Sequence, residues 1–326
     1  MHSIEYYSRL IQIFKSYKLK EAKLSYMPLR IWLEPTNHCN LKCIMCPNHN
    51  LSKNEKGYMD FSLYTKIIDE LTKFDPIIYL HHRGESLLHP AFFSMAKYAK
   101  DRNLFLILHT NGTLLNEKKA YQLIDSGIDR VIFSFDGFKK ETYEKIRING
   151  NFDKTLANII QFLIIKKKTG TKKPYVALEI INFSRKNNPQ DEVEKKKFLD
   201  KFKGLPLNKI QKRNLHNWGG EFTLKKGKKF PLSSCPFPWI SLVILWDGNV
   251  LPCTQDFYGK LVLGNVSNDS LEKIWNNEKM IRLRKEMIDP KNINIDICKN
   301  CDRLWREQIL GIPKEYLEKL ILKKLY

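Results

Sequence analysis

No apolar run in this chain is long enough to cross a membrane. The longest nearly pure one, Phe237 to Trp246, is half of the roughly 20 residues that a spanning helix needs. The first residues, MHSIEYYSRLIQIFKSYKLK, lack the uncharged apolar core of a secretory signal. No fixed period marks a collagen or a solenoid. Acidic residues are scarce beside basic ones, 35 against 56, which leaves a formal net charge of +21. The cysteines number seven, an odd count that excludes complete internal disulfide pairing. These absences point to a soluble cytoplasmic protein, and in a reducing compartment clustered thiols serve metal binding or catalysis.

What is present is an ordinary globular composition, 43% hydrophobic and 28% charged over 326 residues, which excludes an intrinsically disordered chain. At about 150 residues per domain the length suggests two domains. The positive charge has two readings. One is a footprint for nucleic acid or an acidic membrane. The other is lysine spread over solvated faces. The lysines are dispersed, with short runs at Lys166–Lys168, Lys195–Lys197 and Lys225–Lys229, and interleave little with aromatics, which favours the second.

Periodicity organises the chain. Ile4, Tyr7, Ile11 and Phe14 recur at helical spacing over residues 3–17, an amphipathic helix. RIWLE at 30–34 reads as a strand. Helices over 61–73 (capped by Asp60), 91–101, 116–126 (stopped by Gly127), 153–168 and 190–202 then alternate with strands at 77–82, 104–110, 130–136, 175–183 and 208–214. Six strands, each followed by a helix or loop, predict a parallel α/β sheet. Right-handed crossovers would curl it into a partial (β/α)6 TIM-like barrel with active residues at the C-terminal strand ends. The composition changes at Trp218-Gly219-Gly220 and a basic linker follows. Asp247-Gly248 between two apolar runs signals a hairpin, and a helix over 270–288 is capped by Ser270. The expected organisation is an N-terminal helix (1–28), the barrel (29–222), a small α+β domain (223–312) and a basic amphipathic tail (313–326).

The cysteines divide between these domains. Cys39, Cys43 and Cys46 follow the first strand as CNLKCIMC. Three thiolates on one short loop can hold three corners of a cube-shaped iron–sulfur cluster and leave one iron open. A zinc knuckle completed by His38 or His49 is the alternative. Cys235, Cys253, Cys298 and Cys301 fall in the small domain. Four thiolates close a cluster fully, or alternatively a zinc ribbon. A cluster that merely holds the domain together is a further option, since metal binding energy is folding energy in a poorly cored module.

CxxxCxxC at the end of the first strand of an α/β barrel resembles the radical S-adenosylmethionine (radical SAM) enzymes. The resemblance implies a [4Fe–4S] cluster whose open iron is chelated by the methionine amino and carboxylate groups. Reduction then splits the sulfonium to a 5′-deoxyadenosyl radical that takes hydrogen from a substrate. Further positions carry the resemblance across about 30–215. Met45 occupies a place near the adenine that is often aromatic. Arg83-Gly84-Glu85 is similar to the family's Gly-Gly-Glu, with Arg83 replacing the first glycine, so Gly84 would let the backbone approach the ligand and Glu85 would receive the methionine ammonium. Ser134 and Asp136 match the ribose-contacting position, Arg147 the arginine that pairs the methionine carboxylate, and Asn111 would line the pocket.

The four later cysteines resemble the short Twitch form of the SPASM auxiliary domain: one before a hairpin, one after it, then CxxC. This implies a second, fully ligated [4Fe–4S] cluster suited to electron transfer. Two-electron oxidation of a sugar, a sugar-linked lipid or a nucleotide is therefore expected, with the auxiliary cluster as electron acceptor. Asp256 is the candidate catalytic base, and His216 and Trp218 are candidate cavity residues. A radical SAM enzyme that modifies peptide or RNA is an alternative, and a non-enzymatic zinc-ribbon nucleic-acid binder is the rival class. Expected partners are a small-molecule or sugar-type substrate and an electron donor such as flavodoxin or ferredoxin. Contact with a membrane surface is a further option, and nucleic acid is not expected.

Overall fold

The computed structural model of the chain describes residues 4–182, 189–223, 230–309 and 312–314. The chain forms two compact units. One comprises Trp32–Leu215 with Leu245–Asp247. The other comprises Met1–Ile31, His216–Ile244 and Gly248–Tyr326, so the N-terminal helix groups with the late cysteines.

In chain order the first elements are α1 (Ile4–Leu19), β1 (Arg30–Leu33), β2 (Lys42–Cys43), α2 (Phe61–Leu71), β3 (Ile77–Tyr79), α3 (Phe92–Lys100), β4 (Phe105–Thr110) and α4 (Glu117–Asp125). They continue with β5 (Arg130–Ser134), α5 (Lys140–Ile146), β6 (Arg147–Ile148), α6 (Phe152–Thr169), β7 (Tyr175–Asn182), α7 (Pro189–Asp200) and β8 (Lys209–Asn214). The strands β1-β3-β4-β5-β7-β8 lie side by side in chain order. From β3 to β8 every neighbouring pair is parallel, as crossover connections between successive strands produce. This is the strand order of the expected partial (β/α)6 barrel.

Alternation gives the sheet two faces. Ile78, Leu80, Leu106, Leu108, Val131, Phe133, Val176, Leu178 and Ile180 fill one face and are buried. Helices cover that face, and Phe133 meets Phe162 of α6 edge-on at 5.6 Å. Tyr79, His109, Ser134, Glu179, Gln211 and Arg213 occupy the other face by register. The helices start where their caps dictate: Asp60 accepts from the Ser62 and Leu63 amides, and Asn151 from Lys154. Gly127 at φ +71 ends the α4 segment, a conformation that favours glycine.

The second unit carries α8 (Phe237–Ile240), the antiparallel strands β9 (Ser241–Ile244), β10 (Asn249–Leu251) and β11 (Gly264–Asn265), then α9 (Leu271–Trp275), α10 (Glu278–Glu286) and α11 (Asp296–Lys299). The expected hairpin is β9–β10, with Gly248 at φ +84 in its turn. The expected helix over 270–288 is two helices. Asn276 and Asn277 break it: Asn277 caps α10 at the Met280 amide, and Asn276 bonds both polar groups of the Leu24 backbone. The buried stripe of α1 also differs from the expected one. Tyr6, Leu10, Ile13 and Tyr17 are packed, while Tyr7, Ile11 and Phe14 are 45%, 69% and 40% exposed. Tyr17 sets this choice by stacking edge-on against Trp239 at 5.4 Å and donating to the Ser234 carbonyl at 2.7 Å. Lys225–Lys229 and residues 315–326 of the tail lie outside the described residues. Among the described residues, no helix is long and apolar enough to cross a membrane.

Candidate active site

The loop after β1 places three thiols. Cys43 sits in β2, which pairs antiparallel with β6 so that Cys43 faces Arg147 in register. The Ile44 amide extends this ribbon to the Ile146 carbonyl at 3.0 Å, and the Cys46 amide turns back to the Cys43 carbonyl at 3.0 Å. None of the seven cysteines is in a disulfide. Burial, with a smaller push from neighbouring negative groups, raises the Cys39 thiol to about 11 and Cys46 to about 12. Burial also raises Cys43, against the pull of Arg147. Three clustered thiols that resist ionisation make a poor nucleophile but a good ligand set, because a bound metal supplies the missing positive charge. Among the described residues, no three His, Cys, Asp or Glu side chains converge on a single-ion site. Thiolates on separate corners of a cube need no such convergence.

The loop after β3 closes on this one. A Cβ on Gly84 would stand 2.4 Å from the Thr36 carbonyl oxygen and 2.5 Å from that of His38, so only glycine fits. The next amide, of Glu85, donates to the His38 carbonyl at 2.8 Å. The Glu85 carboxylate accepts from Thr110 Oγ1 at 2.8 Å and from the Asn111 and Leu87 amides at 2.7 and 3.2 Å. Three of about four acceptor positions are therefore filled. Burial raises the pKa of Glu85 against these bonds. The Asn111 side chain donates to Asn40 Oδ1 at 3.0 Å, which ties the end of β4 to the cysteine loop.

Asp136, just past β5, accepts from Arg147 Nη2 at 2.6 Å and from the Ile181 amide at 2.6 Å. Its carboxylate is thus engaged with protein groups at the position matched to ribose contact. Arg147 places Nη1 3.8 Å from Cys43 Sγ, and its buried Nε has no protein partner. One guanidinium N–H beside the thiols is thus left for a ligand. Ser134 ends β5, and Met45 lies half-buried between Cys43 and Cys46.

The other four thiols gather in the second unit. Cys253 follows β10, Cys298 lies in α11, and the Cys301 amide donates to the Cys298 carbonyl at 3.1 Å. Burial raises all four thiols, Cys301 to about 12, and Cys235, Cys253 and Cys301 each raise Cys298 further. Asp256 is buried, and its two oxygens accept from the Lys260 and Leu261 amides at 2.8 Å each. The carboxylate anchors a turn. His216 and Trp218 are adjacent, with rings 4.2 Å apart.

One group was not foreseen: His81, His109, Glu179 and Arg213 meet on the open face of the sheet. The signal in the sequence is a histidine or glutamate interrupting an apolar strand, as in IIYLHH, LFLILHT and YVALEIINF.

Two family profiles match the chain. "Radical SAM superfamily" spans residues 33–172, and an "Iron-sulfur cluster-binding domain" of the SPASM type spans 235–302, which takes in all four late cysteines. The chain is a member of the radical SAM superfamily with a C-terminal SPASM domain. As such it is an enzyme that uses SAM and two [4Fe–4S] clusters, which sets aside the zinc-ribbon alternative. It is 27% identical to a tungsten-containing aldehyde ferredoxin oxidoreductase cofactor-modifying protein of Pyrococcus furiosus, over 83% of this chain and 86% of that one. It is 26% identical to the S-adenosyl-L-methionine-dependent 2-deoxy-scyllo-inosamine dehydrogenase of Niallia circulans, over 84% and 92%. Its fold is similar to a crystal structure of BtrN in complex with AdoMet and 2-DOIA (TM-score 0.59, 22% identity, 90% of this chain and 97% of that one). It is also similar to Streptococcus suis SuiB bound to precursor peptide SuiA (TM-score 0.65, 13% identity, 89% and 73%).

Proposed function

We propose that this radical SAM enzyme oxidises a hydroxyl-bearing, sugar-like substrate by two electrons. The observation that carries the reading is two thiol sets of different size in one chain: three in the loop after β1, one short of closing a cluster, and four in the SPASM domain. A dehydrogenase needs both a radical generator and a sink for the second electron. The relative from Niallia circulans is named as a SAM-dependent dehydrogenase, and it aligns over most of both chains.

When bound, SAM and the two clusters supply hydrogen-atom abstraction and a one-electron acceptor. Cys39, Cys43 and Cys46 would hold the first cluster, and Cys235, Cys253, Cys298 and Cys301 the second. Arg147, its fork fixed by Asp136, would offer its unpartnered Nε to the methionine carboxylate. Glu85 offers its remaining acceptor position to the ammonium, held in place by Thr110 and Asn111. Gly84 would let the backbone come close, and Met45, Asn111 and Ser134 would line the site. Flavodoxin or ferredoxin would supply the reducing electron. The exposed stripe Tyr7, Ile11 and Phe14 of α1, flanked by the exposed Lys15 and Lys18, suits an anionic lipid surface.

The test is a turnover of reduced, anaerobically reconstituted protein with SAM and 2-deoxy-scyllo-inosamine deuterated at its ring carbinol carbons. Deuterium in 5′-deoxyadenosine together with a ketone product supports the reading. Deoxyadenosine free of deuterium and no ketone contradict it.

A further inference from the structure

The open face of the parallel sheet carries polar groups where a sheet interior is normally apolar. The His81 and His109 rings lie 4.3 Å apart. Glu179 Oε1 stands 3.7 Å from His109 Nδ1 and accepts from Arg213 Nη1 at 3.3 Å, while its Oε2 accepts from Gln211 Nε2 at 2.9 Å. Beside them Trp32 stacks on Tyr79 at 4.4 Å with 11° between the planes, and Tyr79 meets His81 edge-on at 5.9 Å. The His109 and Glu179 side chains keep 17% and 11% of their surface exposed, so the cluster is not sealed. Packing alone gives no reason for four titratable groups from four strands or strand ends to meet here.

A hydrogen bond sets the His81 tautomer and a neighbouring charge biases that of His109. His81 Nδ1 accepts the His109 backbone N–H at 3.3 Å, so neutral His81 carries its proton on Nε2. His109 Nδ1 stands 3.7 Å from the Glu179 carboxylate, whose negative charge favours the imidazole proton on that side and the lone pair on Nε2. Burial holds both imidazoles neutral, with His109 lowered to about 3 and His81 also well below its ordinary value. The cluster thus offers one N–H donor and one lone-pair acceptor on neighbouring rings, the complement of a hydroxyl group. Glu179 and Arg213 cancel each other's charge, and the Trp32–Tyr79 stack provides a flat apolar wall. A polyhydroxylated ring, neutral or carrying an amine, satisfies all of these features, whereas a strongly anionic ligand would meet the Glu179 carboxylate.

We propose that this cluster is the substrate site, that it takes a polyhydroxylated ring, and that His109 accepts the hydroxyl proton during oxidation. The inference rests on the dehydrogenase reading above. In that step the substrate O–H bond breaks and an N–H bond forms on His109 Nε2. The carbon-bound hydrogen leaves as an atom to the SAM-derived radical, and the remaining electron passes to an iron–sulfur cluster. His109 is the catalytic residue, His81 a binding residue, and Glu179 a positioning residue that steadies the imidazolium once it forms.

The test uses anaerobic, SAM-bound holoenzyme, with 2-deoxy-scyllo-inosamine as probe. Calorimetry reads binding, and single turnovers with ring-deuterated probe read deuterium transfer and ketone separately. His109→Gln should bind the probe within about threefold of wild type and still move deuterium into 5′-deoxyadenosine, yet yield about a hundredfold less ketone. Glu179→Gln should keep binding and deuterium transfer while ketone falls about tenfold, a split that loss of packing would not produce. His81→Phe should weaken binding about tenfold. Unchanged iron and sulfide content shows that each variant is intact, and His109→Asn serves if His109→Gln loses iron. Ketone within twofold of wild type in the His109 variant, or no binding heat in wild type, overturns the inference alone. No 5′-deoxyadenosine from wild type with SAM and reductant overturns the reading beneath it as well.

Discussion

Arg83 and Glu34 are joined twice, Nε to Oε2 at 2.9 Å and Nη2 to Oε1 at 2.8 Å, with side chains only 6% and 0% exposed. The Arg83 amide adds a third bond to Oε2 at 3.0 Å. This pair explains how arginine stands where the family motif has its first glycine: the glutamate that follows β1 neutralises it and holds the backbone that presents Gly84 and Glu85.

Breaking the pair strands a buried charge. Glu34→Ala should cost about 3–5 kcal/mol of unfolding free energy, measured in denaturant, whereas removing both partners for apolar residues should cost much less. The pH dependence has a definite sign. Burial pushes the Glu34 carboxyl up, but Arg83 outweighs it and leaves the pKa below its ordinary value. The stabilisation is therefore present above the unfolded pKa of about 4.3 and lost as pH falls through the folded one. The acid limb should be shallower in Glu34→Gln, and an identical limb would count against the assignment.

Asp256 holds a turn, so its loss should be felt in stability. Asp256→Ala frees two amides and should cost about 1–3 kcal/mol in thermal unfolding. The rate of 5′-deoxyadenosine formation per cluster should not change. A full loss of ketone at unchanged stability would identify Asp256 as the base.

Arg147 uses its fork geometry three ways, toward Asp136, Cys43 and the position left for a ligand. A lysine cannot reproduce that. Arg147→Lys should weaken SAM binding about tenfold or more in equilibrium dialysis of reconstituted protein, at unchanged iron content. Wild-type affinity in the variant would remove Arg147 from the site.

The strand order was legible because helical and strand periods alternate cleanly from residue 30 to 214, and the presence of two clusters because thiols at these spacings have few other uses. Two kinds of feature were not. The α1 stripe was misassigned because that helix is apolar on two adjacent strips, and only the partners of Tyr17 decide which one packs. The His81–His109–Glu179 group was missed because its members are 28 to 98 positions apart, and parallel pairing of β3, β4, β5, β7 and β8, which is non-local, brings them together.

That exposed strip of α1 has its own test. The protein should sediment with vesicles rich in phosphatidylglycerol but not with neutral ones, and Ile11→Glu should reduce binding severalfold. Equal recovery with both vesicle types would contradict a lipid-facing role.

The most direct measurement is the electron paramagnetic resonance spectrum of the reduced, reconstituted protein with and without SAM. The expected result is about eight irons per chain, a signal that shifts when SAM is added, and loss of that shift with about half the iron in the Cys39→Ala/Cys43→Ala/Cys46→Ala variant. A wild-type spectrum unchanged by SAM would contradict it.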